Sequence, residues 1–520
     1  MKLVTSEQMR ELDRRTIAEF AIPGEQLMER AGAGVASVVR RLARWRGDAA
    51  ARVRLAAGRG NNGGDAFVAA RHLREAGFDV EVWLAAGAGD LKGDALTHFR
   101  RMAGQQVRVR EMPEEADWQL ERAPHAGPAI LVDGLLGTGR NGAAQGVMAA
   151  AIRLVNAASK RSPVVAIDVP SGLDADTGIP EGETVRADVT ATMGLPKRGL
   201  VEAAALDYVG NLEVIDIGLP AILVGPLPDD RELIVADEVA PLLKRRQRAS
   251  HKGDYGHVLI IGGARGYAGA AALAARAAVR SGCGLVSVLA PASVAPVIAA
   301  VAPEAMVHFG EETREGSLAV DCLSSWQRSL RQFDAVVAGP GMTLHAQTRL
   351  LVERILREVQ SPLVMDADAL NVVGRDLALI KRCRTPVIVT PHPGEMGRLV
   401  GCSAAAVQSD RPGAVRTAVE ATGATVVLKG AGTLVGHVRQ IRVNMTGNPG
   451  MAKGGMGDVL AGLIGGLLAQ GLSAPDAAAL GVFLHGRAAD IASWRSSQPG
   501  IAAGDVIDAL SLAWRELSSR

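Results

Sequence analysis

A chain of 520 residues, 48% of them hydrophobic and 22% charged, is long enough for two or more globular domains, which excludes a single small binding module. Its 57 Lys+Arg against 55 Asp+Glu leave a net charge of +2, without the basic footprint of a nucleic-acid binder or of a protein held to a lipid surface. Small molecules are the expected partners. The four cysteines, Cys283, Cys322, Cys383 and Cys402, include no CxxC pair, so neither a disulfide framework nor a zinc site is expected, and a reducing cytoplasm fits.

The opening MKLVTSEQMRELDRRT lacks the apolar core of an export signal, and the apolar run Val459 to Ala469 is well short of the roughly 20 residues that span a bilayer. From Arg52 onward, the runs RVRLAAG, DVEVWLAAG, AILVDGLLG, VVAIDVPSG, DVTATMG and LEVIDIG alternate with segments of helical period, the pattern of βαβ units on a parallel sheet. A second series follows from His257: HVLIIGG, LVSVLAP, DAVVAGPG, PLVMDADAL, PVIVTPHPGE, TVVLKGAG and QIRVNMTG. Between the two series, Pro220, Pro226, Pro228 and the basic cluster Lys244-Arg245-Arg246 interrupt both periodicities, which places a domain boundary close to Pro228. The expected architecture is α/β with two domains, residues 1–228 and 229–520. The Ala-rich stretch Ala268 to Ala278 reads as a helix packed closely on a sheet.

After the first strand comes Gly58-Arg59-Gly60-Asn61-Asn62-Gly63-Gly64-Asp65, leading directly into a helix. Glycines let the backbone turn sharply beside a ligand, and the next helix offers its unpaired N–H groups to an anion. The pattern is not GxGxxG, but two Asn and an Asp inside a strand-end loop mark it as a site. Asp133 in LVDGLLGTG and Asp168 in AIDVPSG also end strands, so Asp65, Asp133 and Asp168 are expected to converge on the crevice outside the carboxyl ends of the sheet. A strand-end Asp is otherwise a helix cap or turn former. Asn62, Asp133 and Ser171 would together offer hard oxygen ligands to a cation.

These residues resemble the NAD(P)HX epimerase domain, known by its GNNGGDG, VDxxxGxG and DxPSG segments, over residues 1–220, including TSEQMRELDRRTI and IPGEQLMERAG. The resemblance implies a Rossmann-like three-layer α/β/α fold and contacts to the hydrated nicotinamide nucleotide (NADHX or NADPHX). Those contacts would come from Asn61, Asn62, Gly63, Gly64 and Asp65, from Gly137, Thr138, Gly139, Arg140, Asn141, Gly142 and Ala143, and from Asp168. It also implies potassium on Asn62, Asp133 and Ser171. For the epimerisation step Asp168 is the first candidate and Asp65 the second. The chain departs from the family at Ala66, where Gly is usual and a methyl group is expected to crowd the helix start.

In the second half, Thr446-Gly447-Asn448-Pro449-Gly450-Met451-Ala452-Lys453-Gly454-Gly455-Met456-Gly457-Asp458 runs into the apolar helix VLAGLIGGLLAQG. Amides of residues 455 to 458 at a helix N-terminus make an anion hole suited to a phosphoryl group in transfer. Asp458 beside that hole would accept a hydroxyl proton as general base; its competing reading is a helix cap. Lys429-Gly430-Ala431-Gly432-Thr433 follows strand TVVL without being a Walker loop and reads either as a nucleotide contact or as a plain hairpin turn. His392, in PHPGE, has no second His or Cys at ligand spacing and reads as a neutral hydrogen-bonding contact.

With KGDYGHVLIIGG, AGPG and MDADAL, these segments resemble the ADP/ATP-dependent NAD(P)HX dehydratase domain over residues 240–515. The resemblance implies a ribokinase-like fold, substrate contacts at Ala270, Gly341, His392 and Asp458, and nucleotide contacts at Lys429 to Thr433 and Gly457. The tandem order implies a bifunctional repair enzyme that epimerises the R and S hydrates and dehydrates the S form at the expense of ADP. Magnesium would accompany the nucleotide, and a homo-oligomer is expected. The alternatives are a ribokinase-like small-molecule kinase with an N-terminal nucleotide-binding domain and, from another class, a non-catalytic nucleotide-binding scaffold, which the strand-end carboxylates and Asp458 oppose.

Overall fold

The computed structural model describes the whole chain except residues 49–50, 120–128, 140–141, 228–230, 325–329, 439 and 520. It divides into two compact units, Met1–Asp229 and Asp230–Arg520. Among the described residues no helix is long and apolar enough to cross a membrane.

The first unit carries seven strands: β1 (Arg52–Ala57), β2 (Asp79–Leu84), β3 (Arg108–Glu111), β4 (Ala129–Gly134), β5 (Val164–Ile167), β6 (Val189–Met193) and β7 (Asn211–Ile215). They form one parallel sheet in the order β3-β2-β1-β4-β5-β6-β7. The central strands β4, β5 and β6 are buried along their whole length, as expected where helices cover both faces. Strand β3, built from Arg108-Val109-Arg110-Glu111, sits at the sheet edge, and its charged run hides it from any apolar pattern. Winding reverses between β1 and β4. In a doubly wound sheet that reversal opens a crevice at the carboxyl ends, where the loops following β1, β4 and β5 all emerge.

The second unit holds β8 (Glu232–Leu233), β9 (His257–Ile261), β10 (Leu285–Pro291), β11 (Met306–Gly310), β12 (Ala335–Ala338), β13 (Leu363–Met365), β14 (Val387–Val389), β15 (Thr425–Leu428), β16 (Thr433–His437) and β17 (Gln440–Asn444). The sheet order is β11-β10-β9-β12-β13-β14-β15-β16-β17-β8. From β11 to β15 every pairing is parallel; β16 turns antiparallel to β15 and to β17. The expected parallel series is therefore closed by hairpins at one side, and the reversal of winding lies between β9 and β12.

The Ala-rich helix Ala268–Arg280 packs not on the sheet alone but backbone to backbone on the helix Met456–Ala469. A Cβ at Gly462 would collide with the backbone of Ala274, one at Gly466 with Ser281, and one at Gly465 with Val337 of β12. These glycines let the apolar helix lie in contact distance of both neighbours. Replacing Gly462 by Ala gains about 1 kcal/mol of helix propensity, but the collision is with backbone that no rotamer relieves, and overpacking of this kind typically costs about 1–3 kcal/mol. Gly462→Ala is expected to lower the denaturation midpoint of the second unit. An unchanged or raised midpoint would show that the two helices separate cheaply.

Candidate active sites

In the first unit, Gly58 leaves β1 so tightly against the Leu135 carbonyl that no side chain fits there, and Gly63 stacks on Gly58 in the same way. This compression starts the helix Asn61–Glu75 at the strand end, and no side chain caps it. Its first N–H groups face the crevice side. Asn62 donates through Nδ2 to the Leu136 carbonyl at 2.9 Å, which leaves its Oδ1 as an acceptor beside Gly137. Ser171 donates to Asp133 through its hydroxyl (2.6 Å) and its backbone N–H (2.8 Å), while the Leu136 N–H donates to Ser171 Oγ (2.9 Å). Asn62, Asp133 and Ser171 thus meet around Leu136.

Asp133 is wholly buried, and burial raises its carboxyl to about 6 against these hydrogen bonds; among the described residues no cationic side chain acts on it. A buried carboxylate ringed by an amide oxygen and a hydroxyl, without a counter-charge, fits a cation bound through hard oxygens. Among the described residues no three His, Cys, Asp or Glu side chains are grouped for a metal.

The 137–143 loop borders this group. Gly137 abuts Asn62, the Thr138 carbonyl accepts from Arg10, the Gly142 N–H donates to Glu181 at 2.8 Å, and Ala143 packs near Gly182. Arg140 and Asn141 lie outside the described residues. Ala66 is buried with its methyl directed at Gly134, where a second Cβ would come within 2.8 Å. The methyl is accommodated because position 134 is glycine, so the helix start is not crowded.

Asp168 follows β5 with φ +65°, a left-handed conformation that an L-residue adopts only when its surroundings fix it. Its Oδ1 accepts from Thr192 Oγ1 (3.2 Å) and the Met193 N–H (3.1 Å), and it pairs with the ammonium of Lys197. Lys197 is only 1% exposed and also donates to the Met193 carbonyl at 3.0 Å. Asp65 and Asp13 face the same group. Burial, then the charges of Asp168 and Asp13, raise Asp65 well above the usual carboxylate range, with Lys197 pulling the other way. Asp13 is raised to about 6 by burial, and its Oδ1 is buried without a hydrogen-bond partner.

In the second unit, the helix Met456–Ala469 starts at Gly455, whose φ of +89° turns the chain into it without a side-chain cap. The N–H groups of Met456, Gly457 and Asp458 precede the first intrahelical bond, from the Val459 N–H to the Gly455 carbonyl. The preceding loop is fastened by the buried Asp490, which accepts from the Gly447 N–H and from Asn448 Nδ2, both at 3.0 Å. Among the described residues no hydrogen bond reaches the Asp458 carboxyl and no side chain caps this helix, so the capping reading is not realised. Burial first, then Asp366, raise it to about 7, against Lys429.

Lys429 donates to Asp366 Oδ1 at 2.6 Å and stands 3.8 Å from Glu395 Oε2. Burial opposes the charge on Lys429, but Asp366 and Glu395 outweigh it and its pKa is raised. Residues 429–433 form the turn of the β15–β16 hairpin, held by Arg411, which donates to the Leu428 and Gly432 carbonyls at 3.2 and 3.3 Å. The hairpin reading of this segment is correct as structure; the Lys429 N–H donates to the Pro391 carbonyl at 2.9 Å, while the N–H groups of Gly430, Ala431 and Gly432 have no partner among the described residues. His392 caps the helix Pro393–Val400 by accepting at Nδ1 from the Gly394 and Glu395 N–H groups. Its ring is therefore a neutral acceptor on that side, and burial and Lys429 lower its pKa. Gly341 lies against the Tyr267 carbonyl and the Ala270 methyl, so the β9 and β12 loops touch.

Residues 24–199 match the family described as YjeF-related protein N-terminus, and residues 258–511 match NAD(P)H-hydrate dehydratase. A bifunctional NAD(P)H-hydrate repair enzyme from Moorella thermoacetica is 41% identical over 99% of this chain and 97% of its own length. The chain belongs to the family of bifunctional NAD(P)H-hydrate repair enzymes. A repair enzyme of the same name from Thermofilum pendens is 36% identical over 99% of this chain and 97% of its own. A crystal structure of a ribokinase-like superfamily protein from Enterococcus faecalis, 26% identical with a TM-score of 0.50, covers 56% of this chain and 99% of that one.

For this repair-family chain the kinase alternative leaves the first unit unexplained. Sequence reasoning gathered Asn62, Asp133 and Ser171, and Asp458 with Gly457, as the fold does. It missed Asp13, Lys197, Asp366 and Glu395. Asp366 follows β13 directly, Glu395 lies in the first turn of the helix after β14, and Lys197 follows β6 in GLPKRG, so position just beyond a strand within quoted motifs was their available signal; Asp13 on the charged helix Ser6–Phe20 gave none.

Removing the amine of Lys429 would leave Asp366 and Glu395 buried and unpaired, a loss of about 3–5 kcal/mol. Lys429→Met is expected to destabilise the second unit by that order at pH 8. Stability should partly recover as the pH falls towards the ordinary carboxylate range, because the folded state then binds protons that the unfolded chain does not. Chemical denaturation at several pH values measures both; a pH-independent loss would show that the pair is not what holds these carboxylates.

Proposed function

We propose that the first unit interconverts the R and S hydrates of NADH and NADPH, and that the second removes water from the S hydrate at the expense of ADP, giving AMP and phosphate. The observation that carries the second half is the row of unpaired amides at Met456 to Asp458 with an open carboxyl at its end. Asp458 takes the proton of the substrate hydroxyl as that oxygen attacks the terminal phosphorus of ADP. The amides hold the charge developing on the phosphoryl oxygens, and AMP leaves. Loss of phosphate with the neighbouring C5 proton then restores the ring double bond. Ala270, Gly341 and His392 line the substrate side. The 429–433 turn and Gly457 receive the nucleotide, which carries magnesium.

In the first unit, Asn61 to Asp65, the 137–143 loop and Asp168 receive the hydrated nucleotide. Asn62, Asp133 and Ser171 would hold potassium, which would supply the counter-charge that no described residue gives buried Asp133. All four cysteines are free thiols, in keeping with work in the cytoplasm.

Returning NADH absorbance on mixing the protein with hydrated NADH and ADP tests the reaction; a phosphorylated product without NADH would return the kinase reading. Asp458→Asn keeps the size of the side chain and removes the base, so dehydration is expected to fall about 10²- to 10⁴-fold in a folded protein that still binds ADP. In the wild type, kcat/KM for dehydration should rise with pH through about 7, since Asp458 acts only when ionised and its carboxyl is raised to about 7. A flat profile, or a variant within a few-fold of wild type, removes Asp458 from the mechanism. For the cation, Asp133→Ala is expected to abolish potassium dependence of hydrate binding in a titration with and without the ion, and unchanged dependence would place potassium elsewhere.

A further inference from the structure

The crevice of the first unit holds more ionisable groups than ligand binding requires. Four side chains from four separate segments converge there: Asp13 from the helix Ser6–Phe20, Asp65 from the helix Asn61–Glu75, Asp168 after β5, and Lys197 after β6. One ammonium serves three carboxyl groups, and it is committed. Lys197 binds Asp168, Thr192 Oγ1 at 3.2 Å and the Met193 carbonyl at 3.0 Å. Asp168 Oδ1 gains two further donors from Thr192 and Met193, so this carboxylate is held by three donors, one of them an ammonium. Asp65 has no such support: no hydrogen bond from the described residues reaches its carboxyl, and burial, then the charges of Asp168 and Asp13, oppose its ionisation. Asp13 keeps a buried oxygen without a partner, in a place where a solvated surface carboxylate would not leave one.

We propose that Asp65 is the acid of the epimerase site and Asp168 its ionised counterpart, with Lys197 and Asp13 as positioning residues that hold the two carboxyl groups in opposite protonation states. This rests on the epimerase reading above. Asp65 gives its proton to the C6 hydroxyl oxygen of the hydrated ring. The C6–O bond breaks, the N1 lone pair forms the C6=N1 double bond, and water departs. The Asp168 carboxylate balances the positive charge of this iminium. Water adds to the opposite face, its electron pair forming the new C6–O bond while the C6=N1 pair returns to N1, and its surplus proton goes back to Asp65. Nothing is oxidised or reduced. One carboxyl group whose surroundings oppose its ionisation, beside another paired with an ammonium, is the arrangement that such acid-and-counter-ion chemistry uses.

The test uses the full chain without ADP, so that the S hydrate is not consumed, and follows R-to-S conversion by chromatography in ¹⁸O-water. Wild type is expected to incorporate one solvent oxygen per inversion; inversion that retains the original oxygen overturns the proposal. Asp65→Asn should lower the epimerisation rate by at least about 10²-fold. Since Asp65 acts protonated, wild-type activity falls on the alkaline side. Asp13→Asn removes a charge that opposes ionisation of Asp65 and should move that alkaline limb to lower pH. Lys197→Met removes the opposing ammonium and should move it to higher pH, with Lys197→Arg returning it towards wild type. A structural role alone would not displace the limb in opposite directions. If Lys197→Met fails to fold by circular dichroism, Asp13→Asn and Lys197→Arg carry the comparison. Limbs that stay in place, or Asp65→Asn at wild-type rate, overturn the assignment; a wild type that does not interconvert the hydrates removes the epimerase reading itself.

Discussion

In each unit one enclosed ammonium, the buried Lys197 or the partly buried Lys429, is outnumbered by the carboxyl groups around it. Lys197 is paired with Asp168 while Asp65 and Asp13 stand by, and Lys429 is paired with Asp366 while Glu395 and Asp458 stand by. In a poorly solvated crevice the surplus negative charge has nowhere to go, so the supernumerary carboxyl groups keep protons at pH values where an exposed Asp has lost them. Much of the rest follows from that shortage. It leaves Asp458, raised to about 7, able to exchange a proton near neutrality, keeps Asp65 well above the usual carboxylate range, and makes Lys197 and Lys429 costly to remove. It also makes each crevice a place where a bound cation or a hydrogen-bond donor is welcome.

The sheets deliver these groups to one place. In a parallel sheet every strand leaves at the same end, so residues far apart in sequence emerge side by side. Asp133 and Ser171 meet because β4 and β5 are neighbours, and Asp366 meets Lys429 because β13, β14 and β15 are consecutive in the sheet. Tight glycines then let helices begin at the strand ends, so that amide dipoles and carboxyl groups share a single opening.

This also explains what the amino-acid sequence reveals and what it conceals. Apolar β-branched runs such as HVLII and AILVDG are legible because a strand covered on both faces must be apolar throughout. The edge strands β3 and β11 and the hairpin partner β16 are not, since Arg108, Arg110 and His308 or the glycine of TLVGH break the pattern. Glycine-rich loops are legible because they satisfy a local steric demand. Asp13 and Lys197 escape because their importance comes from which other charges the fold brings near them, and a charged residue on an amphipathic helix or after a strand looks the same whether it meets water or a buried carboxylate. The turn at 429–433 shows the reverse case: its local reading as a hairpin is right, yet its chemistry comes from Asp366, 63 residues upstream.

The three glycines that seat the helix Met456–Ala469 against Ala274, Ser281 and Val337 reach beyond packing. A helix wedged at the level of its backbone has no slack along its axis, so the amides at its N-terminus are a fixed instrument rather than an adjustable one. Any fit to a substrate of different size must then come from the surrounding loops. The cost is evolutionary brittleness: a side chain at Gly462 meets the Ala274 backbone and one at Gly465 or Gly466 meets a packed side chain, so drift that leaves the amide-bearing loop untouched would still press on it from behind.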